Sequence, residues 1–376
     1  MTIATPLSTS GRYIVDANGK RVRLAGVNWY GASEDFGLPA GLDRTSRSKL
    51  AELIAEQGFN CVRFPFSVWM TQQTAPIPDR YLAANPDLYG STPVEVYDAC
   101  VKTLTDQGLI VIPNCHLLDF GWCCSTTDTN GLWFNDRWPA KKFTAAWQDI
   151  TKRYASNPLV AAMDIKNEPR PATVGGRQLK PTWGTGGQPD FAAMYLTVGN
   201  LIHQINPHPL IICEGLNYAG DLTGVARHPV RLNEPDKVVY SMHDYSWFGH
   251  PRGQSQAAYV EQMTKAGGYI LTEGIAPVWL GEFGGNTSQL SSPGGGGTWW
   301  ANIQAWLTEA DVDWCWWALN PTHGQSSSPG TNKILNHWGA LEPFGLLTPD
   351  WLTVGYPAVV TALKALMKPR ASPGLG

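Results

Sequence analysis

Charge is scarce in this sequence: only 16% of its 376 residues are Asp, Glu, Lys or Arg, and 28 basic residues nearly offset 31 acidic ones, for a net charge of −3. No bulk basic field exists to hold a nucleic acid or an anionic membrane surface, so an uncharged partner is expected. Long apolar runs are missing too. Nothing approaches the ~20 residues that cross a bilayer, which excludes a spanning helix. Met1 to Ser10 has neither the basic start nor the apolar stretch of a secretory leader. Because the first strand signal begins only at Arg12, a leader removed upstream is compatible with this start, and an extracellular location is the expectation. Cysteines number seven, an odd count. Cys61, Cys115, Cys213 and Cys315 lie inside apolar runs, where a thiol acts as a small core residue, leaving Cys100, Cys123 and Cys124 available for oxidation. What the chain does have is tryptophan: 17 of them, against seven methionines, many beside Gly, Pro and Asn. Indole faces in loops are surfaces on which sugar rings stack.

With 43% hydrophobic residues the chain can bury a substantial core, and its length fits either two domains or one large barrel. Arg12–Val15, a turn at Asn18-Gly19 and Arg21–Leu24 read as a β-hairpin with a type I′ turn. Apolar or β-branched runs then recur at Leu24–Trp29, Cys61–Phe66, Ile110–Leu117, Val160–Ile165, Leu210–Cys213, Val238–Met242, Val278–Leu280 and Val312–Leu319. Helical patterns lie between them at Ser48–Gln57, Pro93–Asp106, Lys141–Ala155, Phe191–Ile205, Gln256–Ala266 and Trp299–Ala310, with a last one at Pro357–Met367. The fifth helix, after Asp221, is poorly marked. Eight doubly buried strands alternating with helices predict one α/β (β/α)8 barrel over residues 1–376, with an N-terminal hairpin over about 12–24 and a frayed tail over about 371–376. Connections into strands are short, whereas those leaving strands are long, so one face is elaborated. In such barrels that face carries the chemistry.

Two acidic residues close strands on that face: Glu168 ends the fourth in Asp-Ile-Lys-Asn-Glu-Pro, and Glu282 ends the seventh in Trp-Leu-Gly-Glu-Phe-Gly. Three βα units apart, they sit across a narrow mouth where their carboxyl groups can converge. Such a pair suits glycoside hydrolysis, one carboxyl protonated to donate and one ionised to attack. Arg63, ending the second strand, is placed to hold the nucleophile ionised, and His243 and Tyr245, ending the sixth, offer it hydrogen bonds. Glu214 also follows a strand, but without a preceding Asn, and reads as a structural loop anchor; Glu273 precedes a strand and belongs to the other end. His116 and His243 suggest no metal centre, because no His-x-His pair or third ligand at metal spacing accompanies them. The glycines at 294–297 lack the Lys, Arg or spaced fingerprint of a phosphate cradle and read as a flexible loop.

With these residues in place the sequence resembles glycoside hydrolase family 5, the cellulase family, over nearly its whole length. The family pattern falls on Arg63 in Arg-Phe-Pro, His116 ending strand three, Asn167-Glu168-Pro169, His243 and Tyr245 in His-Asp-Tyr, Glu282 in Gly-Glu-Phe-Gly, and Trp317 before Leu-Asn-Pro. By that resemblance Glu168 is the acid/base, Asn167 holds the substrate 2-hydroxyl, Glu282 is the nucleophile and Trp317 floors the sugar at the cleaved bond. Leu117 departs from the pattern, since many members carry Asn there. Trp122-Cys123-Cys124 and Asn130-Gly131 resemble a branch containing plant proteins. The reading is a retaining β-glycosidase that needs no cofactor and no metal, acting on β-1,4-glucan or cello-oligosaccharides. Its carbohydrate partner consists of β-linked glucosides, and a monomer is expected. A β-glucosidase or diglycosidase, a β-mannanase and a silent sugar-binding barrel are the alternatives. Trp122, Trp133, Trp183 and Trp247 are the candidate sugar platforms, with closure of apolar gaps as their other role.

Overall fold

Strand formation follows the apolar runs, because a run buried on both faces is stable only between two layers. The computed structural model describes residues 3–125, 128–251, 253–290, 295–331 and 333–369, so the tail expected over 371–376 lies outside the described residues. Eight parallel strands close into a barrel in sequence order. They are β1 (Ala25–Asn28), β2 (Cys61–Ser67), β3 (Ile110–Leu117), β4 (Ala162–Asp164), β5 (Leu210–Glu214), β6 (Val238–Tyr245), β7 (Val278–Gly284) and β8 (Asp313–Trp316). β6 and β7 run past their apolar patterns because polar residues at their ends stay in the ladder, with His243 opposite Glu282 and Tyr245 opposite Gly284.

The helices α1 (Arg47–Glu56), α2 (Pro93–Asp106), α3 (Ala140–Tyr154), α4 (Phe191–Ile205), α5 (Gln256–Met263), α6 (Gly295–Glu309) and α7 (Pro357–Leu366) cover the outside. Their starts are chemically marked: Thr92 and Glu95 form a capping box on α2, and Ser46, Asp190 and Ser255 accept backbone N–H groups at α1, α4 and α5. α3 turns Phe143, Trp147, Ile150 and Tyr154 inward at helical spacing, and the Trp147 indole donates to the Ile165 carbonyl at 3.0 Å. Burial of each such side chain contributes roughly 1.5–3 kcal/mol. After β5 a single turn at Leu216–Ala219 and a 3-10 turn at Thr223–Ala226 stand where the fifth helix was poorly marked. Gly295–Gly297, expected in a loop, open α6 instead, because Trp299, Trp300, Ile303 and Trp306 bury one face of that helix.

Inside the barrel's lower end Leu24, Cys61, Ile110, Ile212, Trp279 and Cys315 pack together. Gly26 belongs there because a Cβ would strike the Cys61 carbonyl and the Cys315 sulfur. The N-terminal hairpin differs from expectation. Ser8–Ser10 pairs with Tyr13–Val15, and the segment after Asn18-Gly19 returns for only one bridge, Val15 to Arg21. The Asp16 carboxylate accepts the N–H groups of Asn18 and Lys20, closing a turn in which Gly19 takes a positive φ and Asn18 does not. A type I′ turn would require both. Cys100 is also corrected: it lies on the inner face of α2 between Val96 and Leu104, fully buried and shielded from oxidants.

Candidate active site

Loops leaving the strands surround a cleft of about 720 Å³ at the C-terminal end of the barrel. Glu168, Glu282, His116, Asn167, Tyr245 and Trp317 line it together with Trp122 and Trp247, so the chain brings distant sequence positions to one place. Arg63 lies beneath them with no solvent exposure. Its Nε donates to Asp164 at 2.7 Å, one terminal nitrogen donates to Asn28 at 3.0 Å and to Glu282, and the other donates to Asn167 at 2.7 Å and Glu214 at 2.9 Å. One planar fork thereby orients four strand ends. Burial disfavours the guanidinium charge, but Asp164, Glu282 and Glu214 more than restore it and raise its pKa.

Glu282 receives a second donor, the Tyr245 hydroxyl at 2.7 Å. Glu168 has different surroundings. Burial pushes its pKa up to about 7, opposed by Arg170, Arg63 and Lys166. His243 stands between the two, with Nδ1 3.0 Å from Glu168 and 3.5 Å from Glu282. Burial lowers the imidazole pKa to about 4, so the ring is neutral near pH 7. One oxygen from each Glu and a His243 nitrogen lie within 4.8 Å of one another.

The backbone at Glu168 is left-handed, with φ 46°, a conformation that costs a non-glycine residue about 1–3 kcal/mol and persists only when its surroundings enforce it. Glu214 accepts the Glu168 N–H at 2.7 Å, and Arg170, itself paired with buried Asp128 at 2.7 Å, donates to the Glu168 carbonyl at 2.9 Å. Glu214, read from sequence as an anchor for its own loop, instead fastens the backbone of the fourth-strand glutamate and shares Arg63. Asn28, Arg170 and Asp128 carry no local motif that would single them out, and Asp164 opens the quoted Asp-Ile-Lys-Asn-Glu-Pro run without a role assigned from sequence. Lys166 lies within the quoted Asp-Ile-Lys-Asn-Glu-Pro run, yet its buried amine donates to the Asn167 carbonyl at 2.8 Å and its pKa falls to about 8 through burial.

His116 donates through Nδ1 to the Asn114 amide oxygen at 2.9 Å, and its ring stacks on Trp317 at 5.6 Å. Tyr30 stacks on the other part of the same aromatic file, 4.9 Å from Trp317. Gly284 is required beside it, because a Cβ there would strike the Trp317 carbonyl. The four loop tryptophans divide. Trp122 sits edge-on to Tyr30 and His323, and Trp247, 56% exposed, stacks on Tyr245 at 4.5 Å; both face the cleft. Trp133 and Trp183 do not. Trp133 packs against Phe134 and Phe191, and the Trp183 indole donates to the His228 carbonyl at 2.9 Å, so both close gaps over the helices. Cys123 and Cys124 are bonded to each other beside Asn167 and form part of the cleft wall.

Two groups of donors have the closeness a cation needs: Cys123, Cys124 and Glu168, and the trio Glu168, His243 and Glu282. The first has its sulfurs in a disulfide, and the second lies against Arg63 and Tyr245, whose donors compete with any ion. Among the described residues no helix is long and apolar enough to cross a membrane.

The family model described as Cellulase (glycosyl hydrolase family 5) matches residues 15–323. An endoglucanase of Paenibacillus polymyxa is 30% identical over 383 residues, covering 97% of this chain and 87% of the relative. A glycosyl hydrolase 5 family protein of Chamaecyparis obtusa is also 30% identical, over 98% of this chain and 67% of its own. A solved hyperthermophilic endocellulase from Pyrococcus horikoshii superposes with a TM-score of 0.78 at 25% identity, covering 97% of this chain and all of that one.

Proposed function

Because the chain belongs to the cellulase family, glycosyl hydrolase family 5, and is a glycosidase, we propose that it cleaves β-1,4-glucan or cello-oligosaccharides by double displacement, with Glu282 as nucleophile and Glu168 as acid/base. The observation that carries the mechanism is the closeness of the two carboxyl groups. One oxygen of each carboxyl lies within 4.8 Å of the other, which supports a retaining pair, at about 5–5.5 Å between carboxyl groups, over an inverting pair at about 6.5–9.5 Å.

In the first step the Glu168 carboxylic acid gives its proton to the glycosidic oxygen as the C1–O bond breaks, and a Glu282 oxygen forms the new bond to C1. Arg63 and Tyr245 donate to Glu282 and hold its carboxyl in place until then. In the second step the Glu168 carboxylate takes a proton from water, whose oxygen attacks C1 and releases Glu282. Neutral His243, with Nδ1 3.0 Å from the Glu168 carboxyl, adds no positive charge that would ionise the acid early. Asn167, whose carbonyl oxygen is fixed by Arg63 and whose amide donates to the sulfurs of Cys123 and Cys124, lines the cleft where the sugar would lie, and Trp317 supplies a ring surface in the same cleft. We further propose that the protein works outside the cell. Its Cys123–Cys124 bond suits an oxidising compartment, and a relative from Xanthomonas campestris, 24% identical, is named a major extracellular endoglucanase.

The test is the stereochemistry of the first product. Proton NMR during hydrolysis of an aryl β-cellobioside should show β-cellobiose before mutarotation, and a 2-deoxy-2-fluoro β-glycoside should add one glycosyl mass to the peptide containing Glu282. Appearance of the α anomer first would reject double displacement.

A further inference from the structure

At the end of the cleft formed by the loops after β1 and β8, a second polar cluster is separate from the two glutamates of the reaction. Glu34 is 3% exposed and lines the cleft, yet among the described residues no donor reaches either of its carboxyl oxygens. The charged groups facing it are both acidic, Asp35 and Glu342, so no cation neutralises it. Asp35 is already occupied by the Ser327 N–H and hydroxyl. Glu342 accepts from the Tyr30 hydroxyl at 2.8 Å, and that hydroxyl lies 2.9 Å from His323. Glu34 is the member left without a partner. Buried carboxyl oxygens with no donor are costly, and their presence in a binding cleft calls for a ligand that brings hydroxyl or N–H groups.

We propose that Glu34 is a specificity-determining residue that binds adjacent hydroxyl groups of a glucosyl ring one unit removed from the cleaved bond, on the glycone side. This rests on the function proposed above. The side follows from the barrel: β8 lies diametrically across from β4, whose end carries the proton donor Glu168 and hence the leaving group. Sugars retained on Glu282 therefore extend toward β8 and β1. On that side Tyr30 stacks face to face with Trp317 at 4.9 Å and Trp122 stands edge-on to both Tyr30 and His323. An outer ring bounded by Trp122 would meet the Glu34 carboxyl with its edge hydroxyls, the geometry in which a carboxyl accepts from two neighbouring O–H groups. Asn336 lines the same end, its amide donating to the Ser326 hydroxyl at 2.9 Å.

The experiment compares 4-nitrophenyl β-glucoside, which places one ring on the glycone side, with 4-nitrophenyl β-cellobioside, which places two. Glu34→Gln and Glu34→Ala should lower kcat/KM on the cellobioside at least about tenfold more than on the glucoside, mostly through KM, and should raise the inhibition constant of cellobiose by a similar factor. Equal losses on the two substrates would overturn the subsite. As a measure independent of folding, wild-type enzyme should lose at least about tenfold on a cellobioside lacking one hydroxyl of the outer ring. If no single deoxygenation costs more than about threefold, the proposal fails. Inactivity of the wild type on every β-glucoside would instead overturn the function beneath it.

Discussion

Replacing Glu168 by Gln separates the two consequences of its raised pKa. Burial lifts the folded-state value from 4.5 to about 7, so the folded protein holds this proton more tightly than the unfolded chain does. A raised carboxyl pKa leaves stability intact at low pH, where both states are protonated, and erodes it as pH rises from the unfolded value through the folded one. At about 1.36 kcal/mol per unit, the shift amounts to roughly 3 kcal/mol lost by the wild type above the folded pKa. Gln cannot ionise. The stability difference between Glu168→Gln and wild type should therefore grow by roughly 3 kcal/mol in favour of the variant between pH 4 and pH 8.5, measured by urea unfolding at several pH values. Kinetics should follow the same group. Wild-type kcat/KM on cello-oligosaccharides should fall above pH 7 as the acid deprotonates, whereas the variant's residual rate on a 2,4-dinitrophenyl glycoside, whose leaving group needs no proton, should show no such alkaline limb. A stability difference flat from pH 4 to 8.5, or an alkaline limb that persists in the variant, would refute the assignment of the proton to Glu168.

Glu282→Ala should abolish turnover, while Glu168→Ala should keep activity on activated aryl glycosides and be accelerated by azide on them; identical azide responses in the two variants would contradict their roles. Arg63→Met strands the buried carboxyl groups of Asp164, Glu214 and Glu282, and should cost about 3–5 kcal/mol in urea unfolding, against less than 1 kcal/mol for a substitution of exposed Lys102. Thiol titration of unfolded protein without reductant should find five of the seven cysteines, rising to seven with reductant, since Cys123 and Cys124 are bonded and the other five are free. The long loops wall the cleft, so kcat/KM should be higher on short cello-oligosaccharides than on a soluble cellulose derivative. Viscometry checks this: a steep fall in viscosity with few reducing ends released would mean an open, endo-acting cleft.

Local sequence was enough for the strand runs, the helices that carry caps at their starts, the asymmetry of loop length and the location of Glu168 and Glu282 just past apolar runs. Each of these depends on periodicity or on a short motif, which neighbours in the chain set by themselves. The hairpin turn went astray because Asn-Gly was weighed without Asp16, whose carboxylate captured the adjoining N–H groups. Cys100 and the glycines before Trp299 were misplaced for a related reason, since the buried face of a helix decided both. Only the closed barrel could decide the rest. Whether a loop tryptophan reaches the cleft, as Trp122 and Trp247 do, or seals a gap, as Trp133 and Trp183 do, depends on helices and loops far away in sequence. Glu214 and Glu34 look like ordinary loop acids in the chain. One gains its role because Arg63 and the Glu168 N–H arrive from other strands, and the other is buried at the cleft where, among the described residues, no donor meets its carboxyl oxygens. Burial and partnership are sums over the whole fold, and the charge, pKa and strain of a site are set by those sums.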